Sequence, residues 1–375
     1  MKKIIILISI NTSDYGAERS LVILANFINK NSKYASLVII PKNDKIVNLL
    51  KEKKINYIIH PFQGNVNFGG GTKLFRGLAK YFINRISSYR LKTLLLGRGY
   101  DVVLVHTNTI TTDFGIQLSL LLGVNHIWHI REMARAAFGF HFELGDWYIR
   151  KITSKSSRII CNSNATKKYY TNILNRNDLL TIYNGVSLSE KYPKASSKEK
   201  SFRILMVGRL SHEKNQTSAI KACGYLLSEG RKNFIFDIWG DGPDHNALLS
   251  LIRKLKLQNH VYLKGYSNSI PYGEYNVGLS CGEHEAFGRS TVEYMLAKLP
   301  VIGVNSGANQ ELITSQTGIF YTAGNTTQFG QALVKLCDDE KLRNELGAYG
   351  KKRAEENYTE KSYGKKILEI YDDVI

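Results

Sequence analysis

Short apolar runs rich in β-branched and aromatic residues recur along this chain of 375 residues and alternate with longer amphipathic segments. IIILISI, SLVII, INYIIH, DVVLVH, HIWHI, RIICNS and TIYNGV form a first set; RILMVG, FIFDIWG, VYLKG, VGLSC, PVIGV and GIFYT form a second. Runs this short, separated by helix-length patterns, predict βα units, and therefore parallel sheets with helices on both faces. Two sets predict two doubly wound α/β domains. The length agrees, since cores seldom grow beyond about 250 residues before a chain divides. Between the sets, residues 187–202 are polar, contain a proline and lack apolar periodicity, which reads as a linker. We therefore expect a first domain over 1–195 and a second over 196–357. A helical segment over 358–375 either finishes the second domain or crosses back to the first.

Charge divides along the same line. Residues 1–200 carry 30 Lys and Arg against 12 Asp and Glu, whereas 201–375 carry 21 against 20. The net charge of +19 therefore belongs almost wholly to the first half, which is expected to meet an anionic surface or substrate. Nucleic acid is not the expected partner, because the basic half contains no recognised RNA- or DNA-binding motif. No apolar run reaches the roughly 18 residues of a membrane span. The opening MKKIIILISI reads as a first buried strand rather than a signal segment. Cys161, Cys223, Cys281 and Cys337 show no metal-ligand spacing, which favours reduced thiols and a cytoplasmic protein.

In an open parallel sheet, ligands sit beyond the carboxyl ends of the strands, so motifs that follow strands carry most weight. EAFGRSTVE, Glu285 to Glu293, follows the strand VGLSC and enters a helical pattern. Gly288 lets backbone approach a ligand where free amides and the helix dipole favour phosphate oxygens. Glu285 and Glu293 can each accept hydrogen bonds from hydroxyls, which a sugar and a ribose both offer. Alone, the two glutamates also read as a loop residue and a solvated helix residue, but burying Glu293 within STVEYML without partners would be costly. In VGRLSHEKNQ, Arg209 and Lys214 leave a strand end five residues apart. They can converge on one diphosphate, the arginine as a fork and the lysine as a point charge, or stand as two solvated cations. In IWGDGPDHNAL, Gly240 and Gly242 follow another strand; they either admit a nucleotide or simply make the turn into a helix.

These segments resemble the retaining glycosyltransferases of family 4, also described as group 1 glycosyl transferases, which have the GT-B fold of two Rossmann-like domains facing a cleft. Glu285 and Glu293 match the family's Glu-x7-Glu motif, followed here by Pro300, VIGV, Gly307 and Glu311. Arg209 and Lys214 match its Gly-Arg-x4-Lys-Gly segment, with Asn215 in the place of the last glycine. SDYGAERSL is similar to Gly-Gly-Ala-Glu-Arg, with Tyr15 for the first glycine and Gly16 retained. CNSNATKK and YNGV, with Ser163 and Asn184, also match family turns. The resemblance implies that Gly16, Arg209, Lys214, Gly240, Gly242, Phe287, Gly288 and Glu293 bind the donor nucleotide and diphosphate. It implies catalytic positions for His129 and Glu285, with His106 a rival to His129. No Asp-x-Asp occurs in the chain, and no metal or other cofactor is expected; cations and a helix dipole would supply the charge stabilisation.

The implied reaction moves a hexose or N-acetylhexosamine from a nucleoside-diphosphate sugar to a lipid-linked or surface-polysaccharide glycan. Residues 71–100 bear on the acceptor, with seven Lys and Arg and no acid. Leu74, Leu78, Phe82, Ile86 and Tyr89 recur there at helical spacing, with Lys73, Arg76 and Lys80 on one flank. This pattern describes either an interfacial helix on anionic lipid, which would make the protein peripheral at the inner face of the cell membrane, or an ordinary helix packed on the sheet. The preceding GNVNFGGG reads as a mobile loop. Two rival functions share the fold: a nucleotide-sugar epimerase, and a non-catalytic subunit that binds membrane or polyanion.

Overall fold

A computed structural model describes residues 2–10, 16–68, 70–188 and 201–375. Most of the expected linker, 189–200, lies outside them, as does Tyr15. The chain divides into two compact units, Met1–Gly185 with Glu360–Ile375, and Val186–Thr359.

The first unit contains β1 (Lys3–Ile8), β2 (Tyr34–Ile40), β3 (Asn56–Ile59), β4 (Val66–Asn67), β5 (Val102–Thr107), β6 (Asn125–Ile130), β7 (His141–Phe142), β8 (Arg158–Cys161) and β9 (Leu180–Thr181). Its helices are α1 (Gly16–Asn31), α2 (Ile46–Glu52), α3 (Leu74–Gly97), α4 (Phe114–Leu122), α5 (Ala134–Phe138), α6 (Gly145–Thr153) and α7 (Asn164–Leu174). Seven strands form one parallel sheet in the order β3-β2-β1-β5-β6-β8-β9. Alternate residues of β1 enter different cores: Ile5 and Leu7 face one layer, Ile6 and Ile8 the other. That two-sided burial is why the strand reads as a continuous apolar run.

The second unit contains β10 (Phe202–Val207), β11 (Phe234–Trp239), β12 (Val261–Gly265), β13 (Val277–Ser280), β14 (Val301–Val304) and β15 (Gly318–Tyr321). With them come α8 (Gln216–Ser228), α9 (His245–Lys254), α10 (Arg289–Leu296), α11 (Asn309–Leu312), α12 (Thr326–Asp338) and α13 (Glu340–Asn357). Its parallel sheet runs β12-β11-β10-β13-β14-β15. Both sheets reverse direction beside their first strand, which opens a crevice at the strand ends between β1 and β5, and between β10 and β13.

The last helix, α14 (Glu360–Val374), belongs to the first unit. Tyr363, Ile367 and Tyr371 enter the core with Leu21 and Ile28 of α1. Gly364 lies against the Phe27 ring so closely that a Cβ would stand 2.3 Å from it.

Two expectations change in detail. Part of GNVNFGGG is ordered: Val66 and Asn67 pair antiparallel with Phe142 and His141. TIYNGV contributes only the end of β9; beyond it, Asn184 accepts a hydrogen bond from Arg131 Nη1.

Candidate active site

The loops that leave β10 and β13 flank the crevice of the second unit. The β10 loop is first zipped to the loop after β11. Gly208 N donates to Trp239 O at 2.9 Å, Leu210 N to Asp241 O at 3.0 Å, and Asp244 N to Leu210 O at 3.1 Å. This contact accounts for Gly240 and Gly242. A Cβ on Gly240 (φ 147°) would lie 1.9 Å from Gly208 O, and one on Gly242 would lie 2.3 Å from Leu210 O. The two glycines are demanded by loop on loop, whatever lies above them.

The β10 loop continues through a 3-10 turn, His212–Lys214, and ends at Asn215 with φ 54° and ψ 44°. This left-handed conformation explains why asparagine can stand where the family has glycine, because its short polar side chain tolerates it. The turn aims Lys214 across the crevice, and its Nζ pairs with Glu285 Oε2 at 2.6 Å.

Glu285 is held from three sides. Its Oε1 accepts from Gly288 N at 3.2 Å, and its carbonyl accepts from Ala308 N at 2.9 Å. Gly307, in the loop after β14, packs so tightly that a Cβ would approach Glu285 O to 2.9 Å. Gly288 itself has φ 82° and caps α10. Beneath these loops, Thr291 Oγ1 donates to Ser280 Oγ at 3.0 Å, and Ser280 Oγ donates to Asn309 Oδ1 at 2.9 Å. This buried network ties α10, β13 and α11 together, so the crevice has a rigid floor.

Arg209 is exposed, and among the described residues its guanidinium has no carboxylate partner. Its carbonyl accepts from Gln216 Nε2 at 2.7 Å, which fixes the backbone and leaves the side chain available to an anion. Glu293 is not a solvated helix residue: Tyr272 OH donates to its Oε2 at 2.9 Å, and Arg289 Nε lies 3.2 Å from its Oε1. Phe287 is buried edge-on to Tyr358, with ring centroids 6.1 Å apart, and anchors the start of α10. The structure thus joins Lys214, Glu285 and Gly288 in one contact chain. It sets Glu293 one turn into α10, and turns Phe287 inward.

In the first unit, α1 begins at Gly16, whose carbonyl accepts from Ser20 Oγ at 2.9 Å. Ser163 caps α7 by accepting from Thr166 N at 3.0 Å. His129 is fully buried, and its Nδ1 lies 3.2 Å from Arg131 Nη2. Burial, then the charge of Arg131, hold it well below the usual histidine range and keep it neutral. His129 therefore lies beneath Arg131 and does not present itself to solvent. Its rival His106 is also buried and meets Tyr371 OH at 2.8 Å.

Sequence reasoning missed Arg131 and Glu132, which directly follow β6. Arg131 Nε donates to Asn108 Oδ1 at 2.5 Å and Nη2 to Tyr363 OH at 2.6 Å, drawing together the ends of β5 and β6 and helix α14. Glu132 keeps some exposed surface but is enclosed on most sides, which pushes its carboxyl up to about 7. Thr109 Oγ1, Ile110 N and Arg131 N all donate to it. The available signal was position alone: a charged pair immediately after a buried strand.

Residues 189–353 match the family described as glycosyl transferases group 1, and residues 33–190 match glycosyltransferase family 4. The chain belongs to this glycosyltransferase family. Among its relatives, the poly(glycerol-phosphate) alpha-glucosyltransferase of Bacillus subtilis is 29% identical over 167 residues, 43% of this chain and 24% of that protein. The capsular polysaccharide biosynthesis glycosyltransferase CapM of Staphylococcus aureus is 27% identical over 191 residues, 49% of each. The chain thus spans less than two thirds of either relative. The Anabaena protein HepE, solved with UDP-glucose, superposes with a TM-score of 0.81 at 20% identity, over 99% of both chains. That likeness identifies the glycosyltransferase GT-B fold.

Proposed function

We propose that this family member transfers a hexose or N-acetylhexosamine, with retention at the anomeric carbon, from a nucleoside-diphosphate sugar to a lipid-linked or surface-polysaccharide glycan. The observation that carries the reading is the Lys214–Glu285 pair spanning the β10–β13 crevice, with exposed Arg209 beside it. HepE with UDP-glucose supports the donor class, and CapM, named for capsular polysaccharide biosynthesis, supports a surface-polysaccharide acceptor.

In this reading Arg209 and Lys214 hold the diphosphate, and the start of α10 at Gly288 adds its dipole. Glu293 takes nucleotide hydroxyls, and Glu285 takes hydroxyls of the donor sugar. The acceptor hydroxyl attacks the anomeric carbon on the face from which the nucleoside diphosphate leaves. The new carbon–oxygen bond forms as the carbon–phosphate-oxygen bond breaks, and a leaving phosphate oxygen receives the hydroxyl proton. The two cations stabilise the charge that develops on the diphosphate, so no metal is required. Gly16 lies at the start of α1, where the first unit would receive donor phosphate or acceptor. His129 acts as a positioning residue under Arg131.

The test is a transfer assay with nucleotide sugars and lipid-linked glycan in EDTA, with the product anomer read by NMR. Retained configuration, and a rate about a hundredfold lower in Glu285→Gln with unchanged nucleotide affinity, are expected. An inverted product, an absolute metal requirement, or interconversion of the donor sugar without acceptor would overturn the reading; the last would favour an epimerase.

A further inference from the structure

We propose that α3 and the neighbouring β4–β7 ribbon form a docking face for an anionic lipid bilayer. The helix is mounted with its ordinary faces exchanged. Its inward side is largely small or polar. A Cβ on Gly77 would stand 2.7 Å from the Leu144 side chain, and Asn84 Nδ2 donates to buried Asp113 at 2.6 Å. Ser87 Oγ donates to Pro61 O at 2.5 Å. Only toward its end do Leu91 and Leu95 enter the core.

The apolar residues consequently face out. Phe75 is 89% exposed, and Leu74, Leu78, Phe82, Ile86 and Tyr89 are exposed along the same helix. The face continues onto neighbouring segments: Phe68 is 75% exposed against the Phe140 ring, and Trp147 is 58% exposed beside Thr72 and Gly145. From Leu74 to Tyr89 this apolar helix face runs about 22 Å, and extended by aromatic residues it is far larger than scattered surface apolar residues produce.

Charge selects the occupant. Arg76 and Lys80 are turned onto the buried carboxylate of Glu143, at 3.0 and 2.9 Å, so two of the three flank cations serve the fold. Lys73, Arg85 and Arg90 remain exposed, and no acid lies anywhere on α3. Aromatic residues level with a cationic rim suit the boundary between acyl chains and anionic headgroups. A second copy of the same face would bring cation against cation. Among the described residues no helix is long and apolar enough to cross a membrane, so the contact is a surface one.

The face does not depend on the donor site, and one set of samples separates the two. The full chain would be floated with vesicles of phosphatidylcholine alone or mixed with phosphatidylglycerol, as wild type, Phe75→Ser/Phe82→Ser and Arg85→Glu/Arg90→Glu. Nucleoside-diphosphate binding would be measured on each sample. Wild type is expected to bind the mixed vesicles, less at high salt, and each double variant to bind at least about tenfold more weakly with nucleotide affinity unchanged. Failure of wild type to float, or flotation of either double variant equal to that of wild type, would overturn the proposal. So would a wild-type dimer in sedimentation that Phe75→Ser/Phe82→Ser converts to monomer.

Discussion

Three histidines show what burial does to a single residue here. His106, His126 and His129 are enclosed in the first unit, and desolvation leads the causes that lower each of them, His126 to about 3. His126 is satisfied as a neutral ring, with Nε2 2.8 Å from Thr107 Oγ1 and Nδ1 3.0 Å from Ser156 Oγ. Unfolded, all three titrate near 6.5, so below that pH the unfolded chain binds more protons. The stability they contribute is complete above pH 6.5 and is lost as pH falls toward the folded values, at about 1.4 kcal/mol per pH unit for each histidine. Glu132 works in the opposite sense. Its carboxyl is raised from 4.5 to about 7, so its contribution is present below 4.5 and lost as pH rises through 7. Between 4.5 and 6.5 three histidines outweigh one glutamate. Urea unfolding of the full chain should therefore give a midpoint that drops from about pH 6.5 to about pH 5, and His126→Gln should flatten that fall by roughly half. An unchanged pH slope in the variant would show that His126 is not neutral when folded.

At the scale of elements, the loop after β11 makes a sharper claim than its motif did. Gly240→Ala should cost about 2 to 4 kcal/mol, because the methyl group meets Gly208 O and the backbone sits at φ 147°. Gly224→Ala in α8, with nothing within 4 Å of the new atom, should instead stabilise by about 0.5 to 1 kcal/mol. Thermal unfolding of both variants checks the pair, and equal melting temperatures would remove the packing explanation. The example also marks what a sequence can disclose. The parallel strands were legible because burial on both faces leaves continuous apolar runs such as IIILI of β1. Gly240 and Gly242 were legible as a turn, but not as a contact with Gly208 and Leu210, since that neighbour arrives only through sheet order. The apolar spacing of α3 was visible, but its orientation depends on Asn84, Ser87 and Gly77 finding partners elsewhere in the chain. Arg131 was invisible because its partners, Asn108, Asn184 and Tyr363, come from three distant segments.

For the whole molecule, one chain builds a strongly basic first unit and a nearly neutral second one, and then returns to complete the first with α14. In the proposed reaction a lipid-held acceptor and an anionic donor would have different electrostatic needs, and this division would supply each separately. The fold alone would fit many chemistries. The proposed nucleotide-sugar transfer rests on the pair of cations that leave β10, with Lys214 poised on Glu285 and Arg209 exposed. The most direct measurement is calorimetric titration of the full chain with UDP, GDP, ADP and TDP in EDTA, repeated with Arg209→Ala and Lys214→Ala. The account predicts selective binding of one nucleotide without metal, weakened at least about tenfold in each variant. Absence of binding by any nucleotide, or wild-type affinity in either variant, would contradict it.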